Sequence, residues 1–278
     1  MALVDVVDAF DRISGVYDST RDPLDPSTID ALANRFHARA IAKILEVGVG
    51  TGRVAVPLAS RGFDVTGVDA SRRMLAIARS KHLRQLVRGN AYRLPFAERS
   101  FDAALFVHVL HLLEDAPTAL AEAIRVGREG ALALVHPPGS QGEGGIEGSA
   151  HDPRRIVYRC LAQEGYPVPD RNGGPRTRER KLLTELPPDD LVIVSDRQVT
   201  EPLGRRLDML EQRASRHTLN IPPDVLHRAV TEARTQIGDR TITYRRVEAL
   251  ATWRRVPEPR SSSVSGTAGE PTRQSGGA

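Results

Sequence analysis

Glu46, Gly48, Gly50 and Gly52 stand at alternate positions in ILEVGVGTG, where an apolar run passes through glycine into a helical pattern that begins near Arg53. Glycine admits a tight turn. Without Cβ atoms, the main chain can also come close to a ligand. A bend of this kind between a strand and a helix N-terminus lets a ligand lie across the strand ends. Asp69 ends the next apolar run, GFDVTGVDAS, where its carboxylate can accept hydrogen bonds from both hydroxyls of a ribose. Strand, glycines, helix, strand and acid together predict a site for an adenosine-type cofactor. The nicotinamide fingerprint requires a third glycine where this chain has Arg53, which counts against that class.

To hold these residues the chain must build a sheet. From 43 to 138 short apolar runs, KILEVGV, DVTGVD, RQLVRG, FDAALFVHVL and ALALVHPP, alternate with helical stretches such as RVAVPLASRG and SRRMLAIARSK. That alternation is the pattern of a parallel sheet buried on both faces. Residues 1 to about 40 read as helices broken around Asp22, Pro23, Asp25 and Pro26. The stretch from 139 to about 180 reads as loop around one short helix, RRIVYRCLAQEG. From 187 onward the pattern gives a strand (LVIVSDRQVT), two helices (RRLDMLEQRASR and PPDVLHRAVTEARTQIG) and a closing strand (TITYRRVEALATWRRV). The expected organisation is one domain over 1–257: a helical lid (1–40), a cofactor-binding core (41–138), a loop-rich segment (139–186) and C-terminal strands and helices (187–257). Residues 258–278 have little to bury and are expected to be disordered.

The bulk properties narrow the function further. Thirty-nine basic against thirty-five acidic residues leave +4, too weak a field to imply nucleic acid, and only 4% of residues are aromatic. The run RERK at 178–181 reads as a solvated face. Cys160 is the one cysteine and cannot form an internal disulfide, which fits a reducing compartment. No stretch approaches the roughly 18–20 apolar residues of a membrane helix, and MALVDVVDAFDR carries acids where a signal peptide has a basic start. The expectation is a soluble, cytoplasmic protein with no membrane partner.

The glycine loop, with its acid at Glu46 and Asp69 downstream, resembles the first motifs of the class I S-adenosylmethionine-dependent methyltransferases. LEVGVGTGRVAVPLASRG, GVDASRRMLAIARSK and RGNAYRLPFAERSFDAALFVHVLHLLED follow the order and spacing of the small-molecule branch, which is similar to the methyltransferases of ubiquinone and menaquinone synthesis (the methyltransferase type 11 domain). The resemblance implies an α/β, Rossmann-like parallel sheet with a final antiparallel strand and helices on both faces. It implies that Glu46, Gly48, Val49, Gly50 and Gly52 line the methionine and ribose part of the cofactor, that Asp69 holds the ribose hydroxyls, and that Ala70 and Met74 flank the adenine. Asn90 stands where relatives carry Asp against the adenine amino group, its amide oxygen still able to accept, with the Ala91 amide beside it. Tyr17 and Arg21, spaced around Asp18, resemble the helix that closes over the methionine end. Two departures are the Arg128, Glu129, Gly130, Ala131 turn in place of Pro-Gly-Gly and the glycine-rich segment after His136–Pro138.

The activity so implied is in-line methyl transfer to a small acceptor, which needs a general base only for a hydroxyl or protonated amine. His108 and His111, after FDAALFV, are the candidate catalytic groups, with His108 also a candidate cofactor contact. His136 ends the following strand, and each of the three also reads as a packing residue, His111 and His136 more so than His108. Linear spacing gives them no metal-ligand pattern, so no metal is expected. RASRHTLNIPPD, 213–224, is expected to help roof the acceptor pocket, where Arg213, Arg216 and His217 read either as contacts to an acidic acceptor or as a solvated helix end. The alternatives are an RNA or protein methyltransferase and a non-catalytic S-adenosylmethionine-binding protein.

Overall fold

A computed structural model describes residues 6–21, 24–137, 152–166, 175–213 and 217–255. The expectations for Asp22, Pro23, Pro138, the glycine-rich stretch, Arg216 and the 258–278 tail lie outside the described residues.

Five short strands form the parallel part of the sheet: β1 (Lys43–Val47), β2 (Asp64–Asp69), β3 (Gln85–Arg88), β4 (Ala103–Val107) and β5 (Ala131–Val135). Two long strands, β6 (Asp190–Pro202) and β7 (Thr241–Trp253), complete it in the order β3-β2-β1-β4-β5-β7-β6. β7 runs antiparallel to both β5 and β6. This is the expected Rossmann-like sheet with its antiparallel closing strand. The apolar runs of β1, β4 and β5 are buried nearly end to end because helices cover both faces.

One face carries α2 (Pro26–Ala38), α3 (Ala55–Ala59) and α4 (Arg72–Ser80), whose Leu32, Phe36, Leu58 and Ala78 pack on Ile44, Leu105 and Leu132. The other carries α5 (Ala116–Val126) and α7 (Pro175–Glu185), which pack Leu120, Ala123, Leu182 and Leu183 on Leu45, Phe106 and Ala133. α6 (Arg154–Gln163), α8 (Arg205–Glu211) and α9 (Pro223–Ile237) build a further core with Tyr244 and Leu203. Helix starts follow local chemistry. Ser71 caps α4 by accepting from Met74 N–H at 3.0 Å, and Asp115 caps α5 by accepting from Thr118 N–H at 3.0 Å.

α1 (Val6–Thr20) lies outside these layers, against α4. Its Ala9 and Ile13 bury Met74 together with Leu219, and Arg12 donates to the Leu219 carbonyl at 3.1 Å. The N-terminal helix and the 217–221 segment thus meet above the C-terminal end of the parallel strands.

Two expectations need correcting. The segment expected to be loop after its single helix contains α7 as well, because the apolar residues of KLLTEL dock on the sheet. Within RERK, Glu179 is only 3% exposed and faces inward, so that run is not wholly a solvated face.

Candidate active site

The loop after β1 bends through three glycines with φ of +73°, +54° and +79° at Gly48, Gly50 and Gly52. These are left-handed conformations that a side chain would strain. The three face different surroundings. A Cβ on Gly48 would stand 2.6 Å from Val109 Cγ2, and one on Gly52 would meet Val56 at 3.1 Å, whereas one on Gly50 would meet nothing within 4 Å. Only Gly50 therefore turns its bare face to open space. Val49 points inward, against Gly67 of β2, and is buried.

Asp69 completes this bend. Its Oδ2 accepts from Gly50 N–H at 2.8 Å and its Oδ1 from Ser71 N–H at 2.8 Å, so the carboxylate ties the loop to the start of α4. Burial pushes the Asp69 carboxyl above the ordinary range, the Asp11 carboxylate adds to that, and the backbone N–H bonds oppose it. Glu46 lies beneath, on the same face of β1 as Ile44, and accepts from Ala55 N–H at the start of α3. Its Oε2 is buried with no hydrogen-bond partner among the described residues. Burial raises its pKa to about 8, with Asp69 contributing in the same direction.

α1 is fastened over this loop. Asp18 accepts from Thr51 Oγ1 at 2.6 Å and from Lys81 Nζ at 2.6 Å, while Asp11 accepts from Ser71 Oγ at 2.5 Å. Tyr17 sits between two guanidiniums, Arg21 at 5.1 Å and Arg53 at 6.0 Å from its ring centre. Arg21 also donates to Met209 Sδ. Tyr17, Gly50, Asp69 and Ala70 are therefore brought to one neighbourhood. Met74 is 1% exposed beneath α1 and in this arrangement offers almost no surface to a ligand. Asn90, past β3, is exposed and its Oδ1 already accepts from Tyr92 N–H at 2.9 Å, leaving one lone pair for another donor. Ala91 is half-buried against the core. Thr51, Lys81, Asp11 and Ser71 were not singled out from the sequence, since isolated polar residues give no periodic signal.

A second cluster forms where β4 and β5 end. His108, with φ of +52°, stacks on His136, ring centres 4.9 Å apart. His136 Nδ1 lies 3.0 Å from Glu179 Oε2, which also accepts from His136 N–H at 3.1 Å. His108 Nε2 lies 3.8 Å from Glu248 Oε1, while Glu248 Oε2 accepts from Thr28 Oγ1 at 3.1 Å. Burial pushes both carboxyls up, but the bonds and charge of the two histidines outweigh it and hold Glu179 and Glu248 below the ordinary value. Linear spacing does not bring the three together, but in space the ligand atoms of His108, His136 and Glu179 all lie within 4.8 Å of one another. His111 is half-buried in a 3-10 turn at Leu110–Leu112. Arg213 donates to the Leu219 carbonyl, which ties it to the segment under α1, and His217 is half-buried.

Comparison with known proteins agrees with this geometry. Residues 45–135 match the methyltransferase-domain family. A demethylmenaquinone methyltransferase of Beutenbergia cavernae is 36% identical over 142 residues, covering 47% of this chain and 57% of the relative. An uncharacterised methyltransferase of Mycobacterium tuberculosis strain H37Rv is 31% identical over 169 residues, covering 59% of this chain and 63% of the relative. In both the match stops short of two thirds of the relative's own length. A solved structure from Anaeromyxobacter dehalogenans, described as a candidate type II methyltransferase, shares the fold with a TM-score of 0.52 at 20% identity, covering 86% of this chain and 99% of that one. No helix among the described residues is long and apolar enough to cross a membrane. Through residues 45–135, with their glycine bend, its acidic partner and the sheet that carries them, the chain is similar to the methyltransferase-domain family.

Proposed function

We propose that this protein is an S-adenosylmethionine-dependent methyltransferase that alkylates a small organic acceptor by direct in-line transfer. The observation that carries the reading is the open face of Gly50 beside the Asp69 carboxylate, at the C-terminal end of β1. Two features of the chain fit the cofactor. A Cβ on Gly50 would project into unfilled space, and Glu46 Oε2 is a buried acceptor without a donor. An ammonium such as that of the methionine moiety would satisfy that oxygen as Glu46 gives up the proton that burial makes it keep without the cofactor. Asp69 keeps lone-pair capacity for a ribose hydroxyl beside the bonds from Gly50 and Ser71.

When bound, S-adenosylmethionine supplies a methyl group already activated on a sulfonium. The work left to the chain is positioning and exclusion of water. Gly48, Gly50 and Asp69 fix the loop, Ala70 and Ala91 offer main chain and small side chains toward an adenine, and Tyr17 and Arg21 on α1 close the methionine end. The acceptor then approaches between α1, the 217–221 segment and the ends of β4 and β5, where His108 is placed to take a proton from a hydroxyl or ammonium. The relatives named demethylmenaquinone methyltransferase and the weak overall charge favour a small neutral or weakly acidic acceptor over RNA or protein.

The test is a thermal melt with S-adenosylmethionine, followed by incubation with methyl-labelled cofactor and a bacterial metabolite extract. A stabilised protein and label in a small-molecule fraction are expected. A folded protein that shows no shift at millimolar cofactor would refute the reading.

A further inference from the structure

We propose that His108, His136 and Glu179 form a binding site for a divalent first-row transition ion of the zinc or cobalt type, with Glu248 orienting His108. Four elements far apart in sequence converge here: the ends of β4 and β5, α7, and β7. The side chains of Glu179 and Glu248 are each 4% exposed, and among the described residues their ion-pair partners are the two histidines. Two buried carboxylates facing two imidazoles need positive charge. A cation held between them supplies it without requiring both rings to be protonated.

The spacing of the ligand atoms is compatible with an ion, as it is with the hydrogen bond that pairs His136 with Glu179. Ligands at about 2.1 Å in adjacent octahedral positions stand about 3.0 Å apart, and His136 Nδ1 and Glu179 Oε2 are 3.0 Å apart. The full set, within 4.8 Å, is looser. Two imidazoles and a carboxylate suit zinc, cobalt, manganese or iron, and not magnesium or calcium, which take oxygen sets. Glu248 is built as an outer partner. It lies 3.8 Å from His108 Nε2 and is itself anchored by Thr28, the carboxylate–histidine arrangement that fixes a ligating ring. His108 is also held at φ of +52°, a conformation that costs a non-glycine residue free energy and that clusters at functional sites.

Val109, next to His108, packs against Gly48, so the cluster borders the glycine loop on the acceptor side. Ion binding itself does not depend on the methyltransferase reading. Its role does: there the ion would bind an acceptor hydroxyl and lower its pKa, with His108 a ligand in place of the base, so that the proton leaves to solvent and the oxygen takes the methyl group as the sulfonium S–CH3 bond breaks and S-adenosylhomocysteine departs.

The experiment uses the full, untagged chain, stripped with EDTA and titrated with Co2+ in the absence of S-adenosylmethionine. The expected result is one Co2+ per chain with visible d–d absorption, displaced by Zn2+, and binding at least about tenfold weaker in Glu179→Gln and His136→Asn, but unchanged in His227→Asn, a change at an exposed histidine–glutamate pair. X-ray absorption of the zinc-loaded wild type needs no variant and should show two imidazoles in the coordination sphere. Failure to take up stoichiometric Co2+, a shell without imidazole, or full binding in folded Glu179→Gln and His136→Asn would each overturn the site. A cofactor melt run in parallel keeps the two ideas separate, since metal uptake without a cofactor shift preserves this proposal while refuting the methyltransferase reading.

Discussion

Replacing Gly50 by Ala isolates the contribution of the open loop face, because a matched control exists within the same chain. Gly50 and Gly62 both have positive φ, +54° and +91°, and a Cβ at either meets nothing within 4 Å. Gly62 precedes β2, at the opposite end of the strands from the glycine loop. Backbone strain of about 1–2 kcal/mol is expected in both variants, a fall in Tm of about 2–8 °C at the usual conversion for a chain of this size. The two should part company when cofactor is added. At a hundred times its Kd, S-adenosylmethionine adds about 2.7 kcal/mol, a rise of about 5–10 °C. In Gly50→Ala a methyl group enters space the ligand should fill, a conflict of about 1–3 kcal/mol, or about 5- to 150-fold in affinity. A hundredfold loss would leave about 0.4 kcal/mol of stabilisation at the same cofactor concentration, a shift of about 1–2 °C. Differential scanning fluorimetry with and without cofactor reads all four numbers. An equal cofactor shift in Gly50→Ala and Gly62→Ala would show that the bare face of Gly50 does not meet the ligand.

Glu46 and Asp69 lead to two pH-dependent outcomes. With its pKa raised to about 8, Glu46 holds in the folded protein a proton that the unfolded chain releases above about 4.5, so its contribution to stability falls as pH rises between those values. Relative to Glu46→Gln, the wild type should lose about 1.4 kcal/mol per pH unit across that window. Urea unfolding followed by the fluorescence of the single, fully buried Trp253 at about pH 5.5 and about pH 7.5 tests this, and parallel profiles would refute it. Asp69 is also raised by burial, and in the proposed site it would hold ribose as the carboxylate. Cofactor affinity should therefore weaken as pH falls toward its titration, starting above the ordinary carboxylate range. Asp69→Asn should bind at least about tenfold more weakly at neutral pH and lose that pH dependence, as measured by calorimetric titration.

The sheet was legible because each strand carries its own signature. β1, β4 and β5 are apolar runs buried along nearly their whole length, and that composition survives whatever packs on them. α7 was not legible. Its first two turns, PRTRERK, hold basic residues and Glu179, and its apolar contribution is crowded into Leu182 and Leu183, so no amphipathic repeat announces a helix. Met74 shows a different limit. Its place in the family pattern implies contact with adenine, but whether it is free depends on α1, whose docking rests on side-chain bonds of Asp11 and Asp18 to partners such as Ser71 and Lys81 far along the chain.

The His–Glu cluster was half legible, and the half that could have been found follows from a rule about strands. In TITYRRVEALATW the residues from Val247 to Trp253 are all buried, so Glu248 sits within a run that has no solvent side. A carboxylate in such a run must find donors or a cation inside the protein. Glu46, within the buried run of β1, obeys the same rule and meets the start of α3 with one oxygen while leaving the other without a partner. The two acids thus mark both halves of the proposed site, one beneath the cofactor loop and one behind His108. Glu179 carries no such mark, because its neighbours Arg178 and Arg180 give the run a solvated reading. Its place in the proposed site becomes visible only once α7 has turned it toward His136. An acid inside a buried strand can therefore be read as functional from sequence, whereas an acid on a polar helix becomes functional only through the tertiary contact that buries it.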